Sequence, residues 1–319
     1  MDHSIINGGQ GSSRAGVSSG DVDIVVVNWN AGEQLRTCLQ SVAECGGGLV
    51  RSVVVVDNGS TDGSFNVTVP DLPLTIIKAG ANLGFGRACN LGAAQAEAPL
   101  LLFLNPDAAL LPGSLERAVA FLNSPAGRDI GVLGIQLIDE QGHVQHHTTN
   151  RAVPRTMFTH DQRAVGFDHM QNRLVDHVIG AFYLIRTQIF RTLGGFDQRF
   201  FVYLEDVDLS ARVQDAGWQI CYLADAKAFH KGGGTSDQVK AKRLFYSMRS
   251  RILYSFKHFS VHQAIAVTGV TLLLEPVLRL GRAAMRRSGR EAQETLGAFG
   301  YLYRDLPGIA LAVRHGRRR

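Results

Sequence analysis

The chain has 319 residues, 45% of them hydrophobic and 19% charged, which is enough apolar sequence for a sizeable core and too little charge for a disordered, self-repelling chain. The net charge of +5 hides an asymmetry: residues 1–239 hold 17 Lys and Arg against 24 Asp and Glu, net −7, while residues 240–319 hold 16 against 4, net +12. Four cysteines (Cys38, Cys45, Cys89, Cys221) lie far apart without a C-x-x-C pair, which argues against a zinc site or a disulfide scaffold and fits a reducing compartment.

Residues 1–21 open the chain with a Gly- and Ser-rich stretch that holds no apolar run; it is expected to be a disordered lead-in and not a signal peptide. Ile24–Val27 is then a short β-branched run ending in N-W-N-A-G, followed by Leu35, Cys38, Leu39 and Val42 at helical spacing. Val53–Val56 is a second run, Leu74–Ile77 a third and Leu100–Leu104 a fourth, with a Gly/Ala-rich helical stretch at 83–97 before the last. Continuous apolar runs alternating with helices predict an α/β fold whose parallel sheet is buried on both faces. The polar residues just after such strands collect along one ligand-binding edge: Asn28 and Asn30, Asp57, Asn105 and Asp107.

Further on, Val132–Ile138 and Val178–Ile185 read as strands. The polar stretch between them, 139–177, carries His143, His146, His147, His160 and His169; a loop of that length is usually functional or mobile. Glu205–Ala216 predicts a helix stopped by Gly217, and Gln219–Leu223 and Ala226–His230 follow as extended segments. After Lys240 the chain is helical and basic. Its apolar run Val261–Leu274 is shorter than the ~20 residues of a membrane span, so a helix in the membrane interface or in the core is expected.

Four constellations carry chemistry. In V-V-V-V-D-N-G-S-T-D, residues 53–62, a strand delivers Asp57 to the edge, where it can accept from a uracil or thymine N3–H or a ribose hydroxyl, or simply form a turn. In L-F-L-N-P-D-A, residues 102–108, Asp107 leaves a strand stiffened by Pro106 and can hold Mg²⁺ or Mn²⁺, or cap the next segment. In residues 201–212, three carboxylates fall within four positions beside aromatic residues, a setting that raises a carboxylate pKa. Asp208 is four residues before Arg212 and reads as its salt-bridge partner, leaving Glu205 or Asp206 for catalysis, or for a helix N-terminus. The fourth is His230 in A-F-H-K-G-G-G, more often a packed histidine than a ligand when taken alone. Neither G-x-G-x-x-G after the first strand nor G-x-x-x-x-G-K-[ST] is present, which argues against a dinucleotide or P-loop site.

In order, these segments resemble the family 2 nucleotide-sugar glycosyltransferases. The likeness runs over 22–235 through N-W-N, the 53–62 run, N-L-G-F-G-R-A-C-N-L-G at 82–92, L-N-P-D at 104–107, G-G-F-D at 194–197, Y-L-E-D-V-D-L-S-A-R with A-G-W, and His230. It is nearest the rhamnosyltransferase branch. The resemblance implies a GT-A fold, Rossmann-like with a mostly parallel sheet flanked by helices, over 22–239, followed by a C-terminal helical basic extension over 240–319. It implies an inverting transfer from a TDP- or UDP-sugar, TDP-rhamnose first among them, to a saccharide acceptor of the polyprenyl-linked kind. By the same resemblance Asp57 contacts the base and Asp107 and His230 hold the divalent metal. Asp206 is the catalytic base with Glu205 beside it, Gly84 and Arg87 pass the donor phosphates, and Gly180 and Ala181 shape the sugar pocket. Asn105 stands where the family's metal motif has its first Asp, which implies weaker metal binding or a role toward sugar or ribose.

The basic residues beside the apolar run (Arg279, Arg282, Arg286, Arg287, Arg290 and Arg317–Arg319) suit an anionic membrane surface, so a cytoplasmic protein peripheral to the inner face of the plasma membrane is expected. No aromatic-interleaved basic platform for nucleic acid is present. A nucleotidyltransferase, or a non-catalytic sugar-nucleotide module, is the rival from another class.

Overall fold

A computed structural model describes residues 20–145, 148–158, 169–232 and 240–316. The first 19 residues, His146, His147, His160 and Arg317–Arg319 lie outside the described residues.

The strands are β1 Val22–Asn28, β2 Val50–Asp57, β3 Leu74–Lys78, β4 Leu100–Leu104, β5 Ala108–Leu110, β6 Ile130–Ile138, β7 Arg173–Val175, β8 Phe182–Arg186 and β9 Gln219–His230. The helices are α1 Glu33–Cys45, α2 Phe85–Ala93, α3 Ser114–Asn123, α4 Thr187–Thr192, α5 Glu205–Asp215, α6 Lys240–His258, α7 Val261–Gly269, α8 Glu275–Met285, α9 Gly289–Arg304 and α10 Leu306–Gly316.

Contacts divide the described chain into two compact units: 20–145, 148–151, 169–197 and 206–232 form the first, and 152–158, 198–205 and 240–316 the second. The first unit is built on one sheet of order β3-β2-β1-β4-β8-β6-β9-β5, with β7 also paired to β9. β3, β2, β1 and β4 run parallel, as their continuous apolar runs require. Beyond β4 the sheet turns mixed: β8 is antiparallel to both β4 and β6, while β6 and β9 are parallel. β4 and β9 therefore run the same way and end on one edge of the sheet, where β5, which follows β4, pairs with β9.

Alternate side chains of each strand go to opposite faces. Val22, Ile24 and Val26 pack with Leu35, Leu39 and Val42 of α1 and Leu115 and Val119 of α3. Val25 and Val27 pack on the other face with Ala88 of α2, Phe190 of α4, and Leu209 and Val213 of α5. Gly92 lets α2 lie close to the sheet, since a Cβ there would stand 2.6 Å from Val25 Cγ1. Two predicted boundaries move. Val178–Ala181 is a loop, and β8 starts only at Phe182. The two extended segments at 219–223 and 226–230 are one strand, β9, bulged opposite Ile135–Gln136.

One buried carboxylate ties the parallel half together. Asp23 on β1 accepts from Arg51 Nε at 3.0 Å, Ser52 Oγ at 2.5 Å, and the Glu97 and Ala98 amides at 2.6 and 2.7 Å. Burial opposes its charge, but Arg51 and the other three donors together hold the carboxyl below its ordinary value.

In the second unit α6, α7, α8, α9 and α10 pack together. The apolar run that looked too short to span a bilayer continues as one 25-residue helix, Val261–Met285, long and apolar enough to cross a membrane by length and composition. The sequence reading takes the apolar run only to Leu274, before Glu275 and Pro276. Instead a π-helical turn, Val270–Leu274, carries the helix into Pro276 near the start of α8. Proline lacks the N–H that would bond the carbonyl four residues back. That carbonyl, of Leu272, accepts from Tyr303 Oη of α9 at 2.7 Å.

Asp23→Ala strips the partner from two backbone amides and a guanidinium. It is expected to cost about 3 kcal/mol, a Tm drop of roughly 6–12 °C by thermal unfolding. Because the folded carboxyl lies low, this stabilisation is present at neutral pH and disappears as pH falls through the depressed value.

Candidate active site

Asn28, Asp57, Asn105, Asp107 and His230 lie at or just after strand ends, Gly180 and Ala181 just before one, and Gly84, Arg87 and Asp206 at helix starts. At the tip of β1, Asn28 is buried and its Nδ2 contacts Asp57 Oδ1 at 3.2 Å, Ser60 Oγ at 3.1 Å and Ser64 Oγ at 2.8 Å. Asn30, at φ 50°, accepts from the Thr61 amide at 2.7 Å and donates its own amide to Ser60 Oγ. These asparagines therefore fasten the loop after β2 and orient Asp57 within it.

Two residues inside the quoted motifs, to which the sequence reading gives no role of their own, complete this edge. Asn58 Oδ1 accepts from the Leu83 amide at 2.8 Å, and Asn58 Nδ2 donates to Asn82 Oδ1 at 3.1 Å. Asn82 Oδ1 also takes the Gly84 amide at 2.9 Å. The pair fixes the N-L-G-F-G segment against β2. Gly84 caps α2 at φ 85°, a conformation that favours glycine. Arg87 lies exposed on the first turn of α2.

At the end of β4 the Asn105 amide donates to the Ala181 carbonyl at 3.1 Å, and the Asn105 carbonyl accepts from Ala108 at 3.0 Å. The resulting turn presents Asp107 and leads into β5, which pairs antiparallel with β9 so that Ala108 faces His230. Asp107 Oδ1 and His230 Nε2 are thereby 3.6 Å apart, both largely buried. Gln145, another residue the sequence did not mark, orients the ring. Its Nε2 donates to the His230 carbonyl at 2.7 Å, so its Oε1 faces His230 Nδ1 at 2.9 Å and accepts the ring proton there. Nε2 is left with its lone pair toward Asp107. Burial lowers the imidazole pKa, against the pull of Asp107, so the ring is neutral at pH 7.

This pair fits a divalent cation: ligand bonds of ~2.1 Å from a carboxylate oxygen and an imidazole nitrogen reach across such a gap. Among the described residues no group of three or more His, Cys, Asp or Glu converges as a metal cage; a cation here would be held by Asp107 and His230.

Gly180 and Ala181 bridge to the other carboxylate. While Ala181 meets Asn105, the Gly180 amide donates to Asp206 Oδ2 at 3.1 Å. Asp206 Oδ1 accepts from the Val207 amide at 2.8 Å at the start of α5. His177 Nε2 lies 3.3 Å from Asp206 Oδ2. Burial pushes the Asp206 pKa up; His177 and the two amides outweigh it and hold the carboxyl below its ordinary value. The crowded acidic segment was expected to raise a carboxylate pKa; the local donors reverse that direction. Asp208 is spent elsewhere, as its spacing predicted, bonding Arg212 at 2.8 Å. Arg212 also clamps the carbonyls of Leu193 and Gly195 in the G-G-F-D turn. Glu205 is buried as the first residue of α5, directly after Tyr203 and Leu204, two non-glycine residues at positive φ (70° and 65°).

Residues 23–194 match Glycosyl transferase family 2. The chain is 30% identical over 258 residues, 72% of its own length and 82% of the relative's, to an N-acetylglucosaminyl-diphospho-decaprenol L-rhamnosyltransferase of Mycobacterium tuberculosis. It is 24% identical over 191 residues, 55% of its length and 71% of the relative's, to rhamnosyltransferase WbbL of Escherichia coli K12. In fold it is similar to the mannosyltransferase PcManGT from Pyrobaculum calidifontis, solved with GDP-Man and Mn²⁺, at TM-score 0.53 and 17% identity over 96% of this chain and 90% of that one. S. aureus TarS 1–349 in complex with UDP-GlcNAc gives 0.53 and 17% over 93% and 87%. The fold is thus the GT-A-like α/β fold with added C-terminal helices.

If Gln145 sets the tautomer of His230, Gln145→Leu should weaken Mn²⁺ binding in the presence of TDP on the order of 10-fold. Titration calorimetry measures it, and unchanged affinity would remove Gln145 from the site.

Proposed function

The chain belongs to glycosyl transferase family 2, and we propose that it transfers L-rhamnose from TDP-rhamnose, with inversion, to a hydroxyl of a polyprenyl-linked saccharide in cell-envelope polysaccharide synthesis. The relatives' names supply the sugar and the lipid-linked acceptor. One observation carries the mechanism: the Gly180–Ala181 loop holds a carboxylate on one side and the Asp107–His230 pair on the other.

In that arrangement Asp206 takes the proton of the acceptor hydroxyl while its oxygen bonds the anomeric carbon. The bond from that carbon to the diphosphate breaks, and its electron pair leaves with the nucleoside diphosphate. A divalent cation at Asp107 and His230, when bound, offsets the charge of that leaving group. Asp57 meets the base from the loop that Asn28 and Asn30 fasten, and Gly84 and Arg87 lie toward the phosphates. Gly180 and Ala181 border the sugar, Asn105 meets the sugar or ribose, and Glu205 is the base's neighbour toward the acceptor. A base kept ionised well into the acid range suits a reaction at neutral pH.

The basic helical region attaches the enzyme to an anionic membrane, at the inner face of the plasma membrane in this reading. Helix Val261–Met285 turns Leu273, Leu274, Val277, Leu278 and Met285 outward, with Arg282, Arg286 and Arg287 exposed nearby. Ala264, Val267, Thr271 and Ala283 face inward. Glu275, near mid-helix, pairs with Arg251 of α6 at 2.5 Å and with Arg279 at 2.8 Å. Crossing a bilayer would bring these charges into hydrocarbon and tear Glu275 from α6, at a cost of several kcal/mol. A helix lying in one leaflet keeps the pair and buries the leucines.

Asp206→Asn should lose nearly all turnover while donor affinity, measured by calorimetry, stays unchanged; near-normal kcat would reject Asp206 as the base. In liposome flotation the protein should rise with phosphatidylglycerol-containing vesicles and not with pure phosphatidylcholine. Replacing Leu273 and Leu278 by Glu should weaken that binding at least about 10-fold. Failure to bind anionic vesicles at low salt would sink the membrane assignment.

A further inference from the structure

His177 reaches the catalytic carboxylate from a place no motif marks. It lies after β7, held to Thr149 by an antiparallel bridge and by the Thr149 amide donating to its carbonyl at 3.4 Å. The ring is buried: Thr149 Oγ1 stands 3.0 Å from Nδ1, and on the far side Nε2 stands 3.3 Å from Asp206 Oδ2. Nε2 meets Oδ2 as a close ion-pair contact without hydrogen-bond alignment, while the threonine hydroxyl serves Nδ1 as donor or acceptor. Among the described residues, Oδ2 therefore faces the His177 ring at ion-pair distance and accepts from the Gly180 amide, both rooted in the sheet unit, whereas Oδ1 meets the Val207 amide of its own helix.

We propose that His177 is the positioning partner of the base, fixing Asp206 Oδ2 so that Oδ1 is the atom that receives the acceptor's proton. The inference rests on Asp206 being the base and adds a threonine–histidine–aspartate line behind it, with His177 itself not touching substrate. The other charged groups nearby are accounted for. Asp208 is taken up by Arg212 at 2.8 Å, and Glu205 precedes the base on α5. Asp176 accepts from the Arg151 amide and Gln214 Nε2 at 2.7 and 2.9 Å. Tyr183 on β8 meets Ser210 at 3.1 Å, its phenol pushed up by burial.

Burial alone would raise the Asp206 pKa, and His177 is the foremost influence lowering it. Without the imidazole the carboxyl protonates at higher pH, so activity lost on acidification is lost sooner. The test is the pH profile of kcat for TDP-rhamnose and a short-chain polyprenyl diphosphate N-acetylglucosamine at saturating Mn²⁺. His177→Ala should lower kcat about 10-fold and move the acid limb up by about one pH unit, with KM for TDP-rhamnose changed less than about twofold. His177→Gln, whose amide Nε2 can reach the carboxylate, should recover most of kcat. Thr149→Val should move the limb the same way by less, and it decides the question should His177→Ala not fold. An acid limb that coincides with wild type, or a loss confined to KM, overturns the inference. Turnover retained by Asp206→Asn is a separate result that overturns the base assignment itself.

Discussion

One backbone hydrogen bond, from the Asn105 amide to the Ala181 carbonyl, sets the geometry of the site. It forms where the parallel half of the sheet meets its first antiparallel neighbour, so β4 and β8 must be in register for it to exist. On the β4 side it anchors the turn that hands the chain to β5 and brings Asp107 to His230. On the β8 side it fixes a loop whose next amide, from Gly180, seizes Asp206. The pair proposed to hold the cation and the carboxylate proposed as proton acceptor are therefore tied to one junction of main chain. Relative placement of reacting groups is what such a site supplies to a displacement reaction, and here it is built into strand pairing.

The buried charges share a common design. Asp23 and Asp206 are each met by at least two donors, so desolvation is offset group by group and the charge survives. His230 shows the opposite outcome, since burial outweighs the pull of Asp107 and the ring stays neutral. Two parts of the first unit thus keep an anion charged and an imidazole uncharged, as the proton abstraction and cation binding proposed for them would respectively require.

Much of this was legible in the sequence because it is local. Val53–Val56 announces a strand, and the polar residue that ends it must lie at the edge, whatever the rest of the chain does. Asp208 and Arg212 pair because they are four residues apart on one helix. Gln145 and His177 carried no comparable signal. Gln145 meets His230 across 85 residues, and His177 gains meaning only when the 178–181 loop folds against α5. That loop was read as strand because Val178 and Ile179 are β-branched; Gly134 on β6, where a Cβ would stand 2.6 Å from Val178 Cβ, shows how tightly it packs instead. The length of the Val261–Met285 helix was missed for the converse reason. Proline is a stop signal by itself, and the hydroxyl that relieves it comes from another helix.

That relief has a consequence for synthesis. Tyr303 stands 31 residues after Leu272, so on the ribosome the apolar helix emerges well before the side chain that completes its hydrogen bonding. Until α9 emerges, that carbonyl is left to water and the face of α8 that packs on α9 stays open, the kind of exposed surface that chaperones hold or that associates wrongly. The last helices of the chain are thus what let the preceding one settle, and a message cut short before Tyr303 would release an aggregation-prone product even with every catalytic residue already translated.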